Sequence, residues 1–287
     1  MFDLDDLVDD VPAHNPAAKV IESKSAGVTK VLNAILNVTD AMTVTTEFLR
    51  KTYDGRIGVN AFVAPNVVDL DHITPAPRPS ADPRLRVGMV YNTNRHGDYV
   101  KLIPLLRQMV DDGDIHLTMF GQFIEHFWKC SPKDVRWIKH VKPTDYWAFL
   151  ANAQLDVVIN RMEPHDFNLA KSNIKWLEAS MVGAATVTTE WGEMVNTPGA
   201  WHLDPAVLPQ GWREALLALA QLKKDGKLAE RVAISRQAVE DDWSTTSTRV
   251  LNAYQKVLDH VEHCHRERNN LGGTSVDDVP ADAGERS

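Results

Sequence analysis

Several features that would narrow a function at once are scarce or missing from this sequence. It has two cysteines, Cys130 and Cys264, far apart and without metal-ligand spacing. That argues against a disulfide framework and suits a reducing compartment. Positive charge is in deficit: 31 Lys and Arg face 39 Asp and Glu, for a formal net charge of -8. Non-specific duplex binding runs mainly on phosphate neutralisation, so nucleic acid is not an expected partner. No apolar run approaches the roughly 20 residues of a membrane span. The opening "MFDLDDLVDD" is acidic where a secretory signal would be basic. The expectation is a soluble, cytoplasmic protein. G-x-S-x-G, the P-loop and H-E-x-x-H do not occur either.

What remains is ordinarily globular: 287 residues, 44% hydrophobic and 24% charged, enough for one large domain or two modest ones. Up to about residue 75 the pattern is fragmentary. "SAGVTKVLNAILNVTDAM" places Val28, Val31, Leu32, Ile35 and Leu36 at helical spacing. "AMTVTTEFLRKTYDG" reads as a strand turning into a helix that Gly55 stops, and "VNAFVAPN" as another strand. Pro75, Pro77, Pro79 and Pro83 then mark a linker, set at 76–85.

From 86 the rhythm becomes strand, loop, helix. Candidate strands are "RVGMVY", "IHLTMFG", "VRWIKHV", "LDVVIN" and "AATVTTE". Helices are expected between them and over "QGWREALLALAQLKKDG". Such alternation predicts an α/β class with a parallel sheet covered on both faces, a Rossmann-like domain over 86–235. Helices should fill 236–268, within a helical stretch from about 228 that breaks near "DDWSTTS". The polar, Gly/Pro-containing tail 269–287 should be disordered.

Open α/β sheets bind ligands at the carboxyl ends of their strands. Two polar clusters fall there. "NTNRHGDYVK" offers Asn92, Thr93, Asn94, Arg95, His96, Asp98 and Lys101. It is either a solvated loop in which Asp98 caps the next helix, or a phosphate loop using Arg95 or His96 with backbone amides. The second is "DFNLAKSNIKWLEASMVG". With a helix start at Ser172, Ile174, Leu177 and Met181 form a buried stripe with Trp176 at its edge, and Gly183 caps the end. Lys171, Lys175 and Glu178 share a neighbouring face. They are either a surface ion pair with a spare lysine, or a site where ammonium groups and the helix start hold a diphosphate and Glu178 accepts from sugar hydroxyls.

Weaker candidates are "DLDD", whose paired aspartates could suit Mg²⁺ but equally an acidic turn, and "HVEHCH", where His260, His263 and Cys264 could share a helix side. No metal is assigned to either. The eight tryptophans read as core.

"DFNLAKSNIKWLEASMVGAATVTT" resembles the donor-binding core of retaining, nucleotide-sugar-dependent glycosyltransferases of the GT-B fold, group 1 class. The pattern is a Lys-Ser helix start, K-x-x-E-A, a small residue with Gly at the helix end, and an apolar strand. "DAMTVTTEFLRKTY" is similar to the family's strand-to-helix element and "VAPNVVDLDHI" to its PN-gvD element. "RVGMVYNTNRHGDYVKLIPLL" is similar to the first strand, loop and helix of its donor domain. "MFDLDDLVDDVPAHNP" resembles a DxDD element of bacterial and phage members.

The resemblance implies a GT-B-like fold and transfer of a sugar from a UDP- or GDP-sugar, with retention, without cofactor or metal. The acceptor it implies is a glycan, lipid-linked glycan or protein. Glu178 then aligns with the ribose-binding glutamate of the E-x7-E signature. Lys171, Ser172 and Lys175 serve the diphosphate, with Arg95 and His96 on the phosphate-side loop. The first signature glutamate falls on Ala170, which leaves Asp166, Asn168 or no residue at all for the donor sugar. Family members carry a whole acceptor-binding domain before the linker, where about 75 residues stand here. The expectation is therefore a partial, acceptor-side segment over 1–75: part of a longer chain, completed by a protein partner that supplies the acceptor half, or belonging to a reduced, non-catalytic relative.

Overall fold

Strands that are apolar throughout need cover on both faces, and here helices supply it around two parallel sheets. The computed structural model describes residues 1–8, 11–12, 18, 25–73, 82–91, 95–127, 129–139 and 141–272. Asn92, Thr93 and Asn94, linker positions 76–81, and 273–287 of the predicted tail lie outside the described residues.

The smaller sheet is built from β1 (Phe2–Leu4), β2 (Ala41–Val44) and β3 (Asn60–Val63), in the order β1-β2-β3. Between them run α1 (Ser25–Leu36) and α2 (Glu47–Tyr53). Thr46 caps α2 by accepting from the Leu49 amide, and Gly55 follows at φ 73°, a left-handed conformation that glycine adopts without strain. Leu32, Leu36, Met42, Val44, Leu49 and Tyr53 pack in this core. The acidic opening begins as a short strand, with Asp5 and Asp6 just past its end: Phe2 and Leu4 are half-buried against the core while Asp3 is exposed.

The larger sheet contains β4 (Leu85–Tyr91), β5 (Ile115–Gly121), β6 (Val135–Ile138), β7 (Val157–Asn160), β8 (Ala185–Thr189) and β9 (Trp201–Leu203). All pairings are parallel and the order is β6-β5-β4-β7-β8-β9. This is the doubly wound order in which the winding reverses between the first and fourth strands, here β4 and β7.

The connecting helices are α3 (His96–Tyr99), α4 (Ile103–Asp111), α5 (Tyr146–Asn152), α6 (Asp166–Leu169) and α7 (Ile174–Met181). After the sheet come α8 (Pro209–Lys224), α9 (Leu228–Asp242) and α10 (Thr248–Gly272). Residues from α4 and α8 join one core cluster with the strands, and residues from α5 and α7 another. A third cluster joins α7 to α9, where Trp176 meets Trp243 edge-on at 5.1 Å.

Gly88 in β4 lets the Leu155 side chain pack directly against the strand. A Cβ there would lie 2.4 Å from Leu155 Cδ1.

In the "DFNLAKSNIKWLEASMVG" stretch the helix expected from Ser172 begins two residues later, at Ile174, and the short helix α6 precedes it. Ile174, expected in the buried stripe, is 39% exposed, whereas Trp176, expected at its edge, is fully buried. Trp243, at the end of α9, and Val239 within it supply the surface that buries Trp176. Gly183 does follow the helix at φ 78°.

Candidate functional site

The winding reversal places the carboxyl ends of β4 and β7 side by side, and the side chains there are densely cross-linked. Arg95 sends Nε to Asp98 Oδ2 at 2.6 Å, and Nη2 to Asn160 Oδ1 at 3.1 Å and the Arg161 carbonyl at 2.9 Å. It therefore spans from the β4 loop to the end of β7. Burial pulls its pKa down, but Tyr99 and Asp98 outweigh that and the net shift is upward. Asp98, 2% exposed, is the hub. Its Oδ1 accepts from the Glu163 amide at 2.9 Å and from Asn168 Nδ2 at 2.6 Å. Its carbonyl accepts from Arg161. Asp98 does not act as the helix cap open to it in sequence, since it lies inside α3 and neither α3 nor α4 has a side-chain cap; it instead ties three segments together. His96 pairs through Nδ1 with Tyr91 Oη at 2.7 Å.

Asn168 Nδ2 also donates to the Glu163 carbonyl at 2.9 Å, and the side chain is buried. Asp166, at the first position of α6, is exposed. Glu163 bridges Lys101 and Arg161, each at 3.0 Å. Burial alone would raise its pKa, but the hydrogen bonds from those two cations win and hold its carboxyl below the usual range. Lys101, Arg161 and Glu163 form one wall of a cleft of about 410 Å³ that reaches Asp204 and the start of α8.

The second cluster surrounds the start of α7. Asn173 precedes the helix without making a side-chain capping bond, so the first amides of α7 carry no side-chain cap. Lys175 Nζ donates to Glu178 Oε2 at 2.8 Å, and Tyr146 Oη donates to the same oxygen at 2.8 Å. Burial, and then Glu178, push the Tyr146 phenol pKa up, so its hydroxyl remains a donor across the ordinary pH range. Lys175 and Glu178 line a narrow gap with Val90 and Phe120, near the carboxyl ends of β4 and β5.

Lys171 and Ser172 face the other way, toward the small sheet. Lys171 Nζ is paired with Asp6 and lies 4.3 Å from the Phe167 ring centroid. Ser172 Oγ accepts from Asn66 Nδ2 at 2.6 Å. The residues expected at the donor diphosphate and ribose are thus divided: Lys175 and Glu178 over the large sheet, Lys171 and Ser172 at the junction, Arg95 spanning the winding reversal and His96 beside Tyr91 of β4.

The sequence matches no protein-family model and no curated protein. Solved structures do match. TarM of S. aureus, in a complex containing UDP, superposes with a TM-score of 0.59 at 15% identity over 81% of this chain and 46% of that one. A glycosyltransferase from Rickettsia africae gives 0.57 at 12% identity over 81% and 66%. HepE of Anabaena, in complex with UDP and glucose, gives 0.58 at 11% over 83% and 67%. The fold is GT-B-like. This chain spans under half of the length of TarM and about two thirds of the other two.

Within the GT-B-like frame, Ala170 stands where the signature's first glutamate was sought. It is 0% exposed and packed in the small-sheet core with Leu49 and Phe167, and its carbonyl accepts from Thr46 Oγ1 at 3.4 Å. Tyr146, Asp6 and Asn66 were not foreseen as partners of the site. Tyr146 lies 32 residues before Glu178 and Asp6 165 residues before Lys171, so no local spacing could signal them. "HVEHCH" lies on α10, where His260 Nε2 contacts Asn60 Nδ2 at 3.4 Å and His265 pairs with Asp40 at 3.4 Å. Among the described residues, no group of three or more His, Cys, Asp or Glu is arranged to hold a metal ion.

Proposed function

We propose that the chain binds a nucleoside-diphosphate sugar at the start of α7 and is the donor-side part of a retaining glycosyltransferase. The observation that carries the reading is the convergence of Lys175, Glu178 and Tyr146 beside an uncapped helix start near the winding reversal of a doubly wound sheet. UDP is preferred over GDP because the matched TarM and HepE complexes contain it. Glu178 accepts from the ribose hydroxyls, with Tyr146 fixing the carboxylate. Lys175 and the first amides of α7 meet the diphosphate, joined by Ser172 and by Lys171 once it leaves Asp6. His96 completes the phosphate side. Arg95 braces the loop through Asp98 and Asn160. Asp166, exposed at the head of α6, serves the donor sugar better than Asn168, whose buried amide nitrogen is taken up by Asp98 and the Glu163 carbonyl. Sugar transfer leaves charge on the departing diphosphate, and cations and amides aimed there stabilise that charge as it develops. The acceptor is a glycan, lipid-linked glycan or protein, met through groups that a protein partner or further chain supplies.

Isothermal titration with UDP and GDP tests this. The expected result is UDP binding that weakens at least about tenfold in Glu178→Ala, or about 1.4 kcal/mol, and less in Lys175→Ala. Equal affinity in wild type and Glu178→Ala would remove the ribose assignment. No binding of either nucleotide would remove the donor site.

One observation favours a second reading, a non-catalytic sugar-nucleotide-binding relative: Ala170 is buried and leaves no room for a carboxylate at that position. UDP binding without turnover of any UDP-sugar, in the presence of its partner, would select it.

A further inference from the structure

At the opposite pole of the large sheet, beside the amino ends of β4 and β7, lies a cavity of about 440 Å³. Its walls are largely apolar, with Leu155, Val182, Leu228 and Val232 among them, and Arg86 and Lys223 stand at its polar end. Two cations there share one carboxylate. Asp156 Oδ2 takes Lys223 Nζ at 2.7 Å and the Arg86 amide at 2.7 Å. Lys223 is fully engaged, since it also donates to the carbonyls of Asp82 at 2.9 Å and Arg84 at 2.7 Å.

Arg86 is not. Its side chain is 8% exposed, yet Nη2 reaches Asp156 Oδ1 only at 3.5 Å, Nη1 reaches Gln154 only at 3.4 Å, and Nε has no hydrogen-bond partner. A guanidinium buried this deeply with two long contacts and an orphan N–H is expensive to keep unless something else meets it. The fifteen-residue helix α9 also begins at the cavity. Lys227 precedes it without a side-chain capping bond, and Leu228 and Ala229 line the space. The buried guanidinium and the uncapped helix start are independent features, and both call for an anion.

We propose that this cavity binds a small carboxylate carried on a short apolar body, with the carboxylate toward Arg86 and the first turn of α9. The formal count at the polar end is two cations to one anion, an excess of one charge that a monoanion cancels. The apolar walls suit a hydrocarbon body better than a hydrated phosphate. The site lies at the amino ends of the strands, remote from the donor residues at their carboxyl ends, and does not depend on the glycosyltransferase reading.

The test is a thermal titration of the full chain with hexanoate, using hexanol and inorganic phosphate in parallel arms. Variants are Arg86→Gln and Ala229→Trp, the latter at an exposed helix position where the indole blocks the cavity. Hexanoate is expected to raise Tm saturably by a few degrees, with hexanol and phosphate giving no saturable shift. Ala229→Trp should keep the wild-type circular dichroism and lose the response, which preserves the test if Arg86→Gln does not fold. In ¹⁵N-arginine spectra, hexanoate should also move one Nε–H resonance that is missing from Arg86→Gln or untouched in Ala229→Trp. No hexanoate shift in the wild type, an undiminished shift in folded Ala229→Trp, or a saturable shift with phosphate or hexanol equal to that with hexanoate would overturn the proposal.

Discussion

Glu178 accepts from Lys175 and Tyr146 through the same oxygen, and the two donors differ in how visible they are. Lys175 is one helical turn away, so spacing alone puts it beside the glutamate. Tyr146 arrives from α5, which packs beside α7 in the same cluster, and only that packing can bring it there. Ala170 shows the reverse. The sequence marks it as a departure from a signature, and the structure explains what keeps it small: its side chain is inside the small-sheet core. Ala170→Glu should therefore fail to restore a donor-sugar contact. It should cost about 3 kcal/mol or more, because a carboxylate would be buried among apolar groups. Urea denaturation reads that loss, and a variant as stable as wild type would show that the position can open toward the cleft.

Elements with strong patterns were legible. The strand runs of 86–121, the helix over 209–224 and the break after Asp242 follow from apolar periodicity and turn residues. β9 was not foreseen, because Trp201, His202 and Leu203 form a strand only through pairing with β8. The turn before it is held by Gly199 at φ 75°, where a Cβ would lie 2.7 Å from the Arg231 carbonyl and 2.9 Å from the Ser235 amide of α9. Gly199→Ala should destabilise by about 1–3 kcal/mol through left-handed strain and that backbone contact, seen as a fall in Tm. At the entry to β4, Arg84 bridges Asp82 at 2.9 Å and Asp134 at 2.6 Å. The Arg84 hydrogen bonds hold the Asp82 pKa down at about 2, from 3.8. A depressed carboxylate contributes stability above its unfolded pKa and loses it as pH falls through the folded value. The contribution is thus full above about pH 4 and gone near pH 2. Asp82→Asn should lower stability by about 1–2 kcal/mol at pH 7 and flatten the acid limb between pH 4 and 2, as followed by denaturant midpoints.

At the scale of the whole molecule, the two sheets are joined at the candidate site itself. Asp6 pairs with Lys171, Asn66 with Ser172, and Thr46 with the Ala170 carbonyl. Farther off, the Val68 amide donates to the Trp243 carbonyl at 2.9 Å, and α10 returns to the small sheet, where Arg268 meets Asp40 at 2.8 Å. On the proposed donor reading, Asp6 competes with the diphosphate for Lys171. Asp6→Ala should tighten UDP binding about fivefold at low salt, the equivalent of about 1 kcal/mol for a partly exposed pair. Weaker binding, measured by titration calorimetry, would instead make Asp6 part of the site. The sequence by itself determined the α/β class, the parallel large sheet and the helical-face grouping of Lys175 with Glu178, because those depend on short apolar runs alternating with helical patterns and on the 3.6-residue helical period, which local order carries. Only the tertiary structure decided that Trp176 is buried and Ile174 exposed, that Arg95 crosses from β4 to β7, and that Lys171 and Ser172 meet the small sheet. Those outcomes depend on which distant surface arrives, and no residue's neighbours in sequence carry that information.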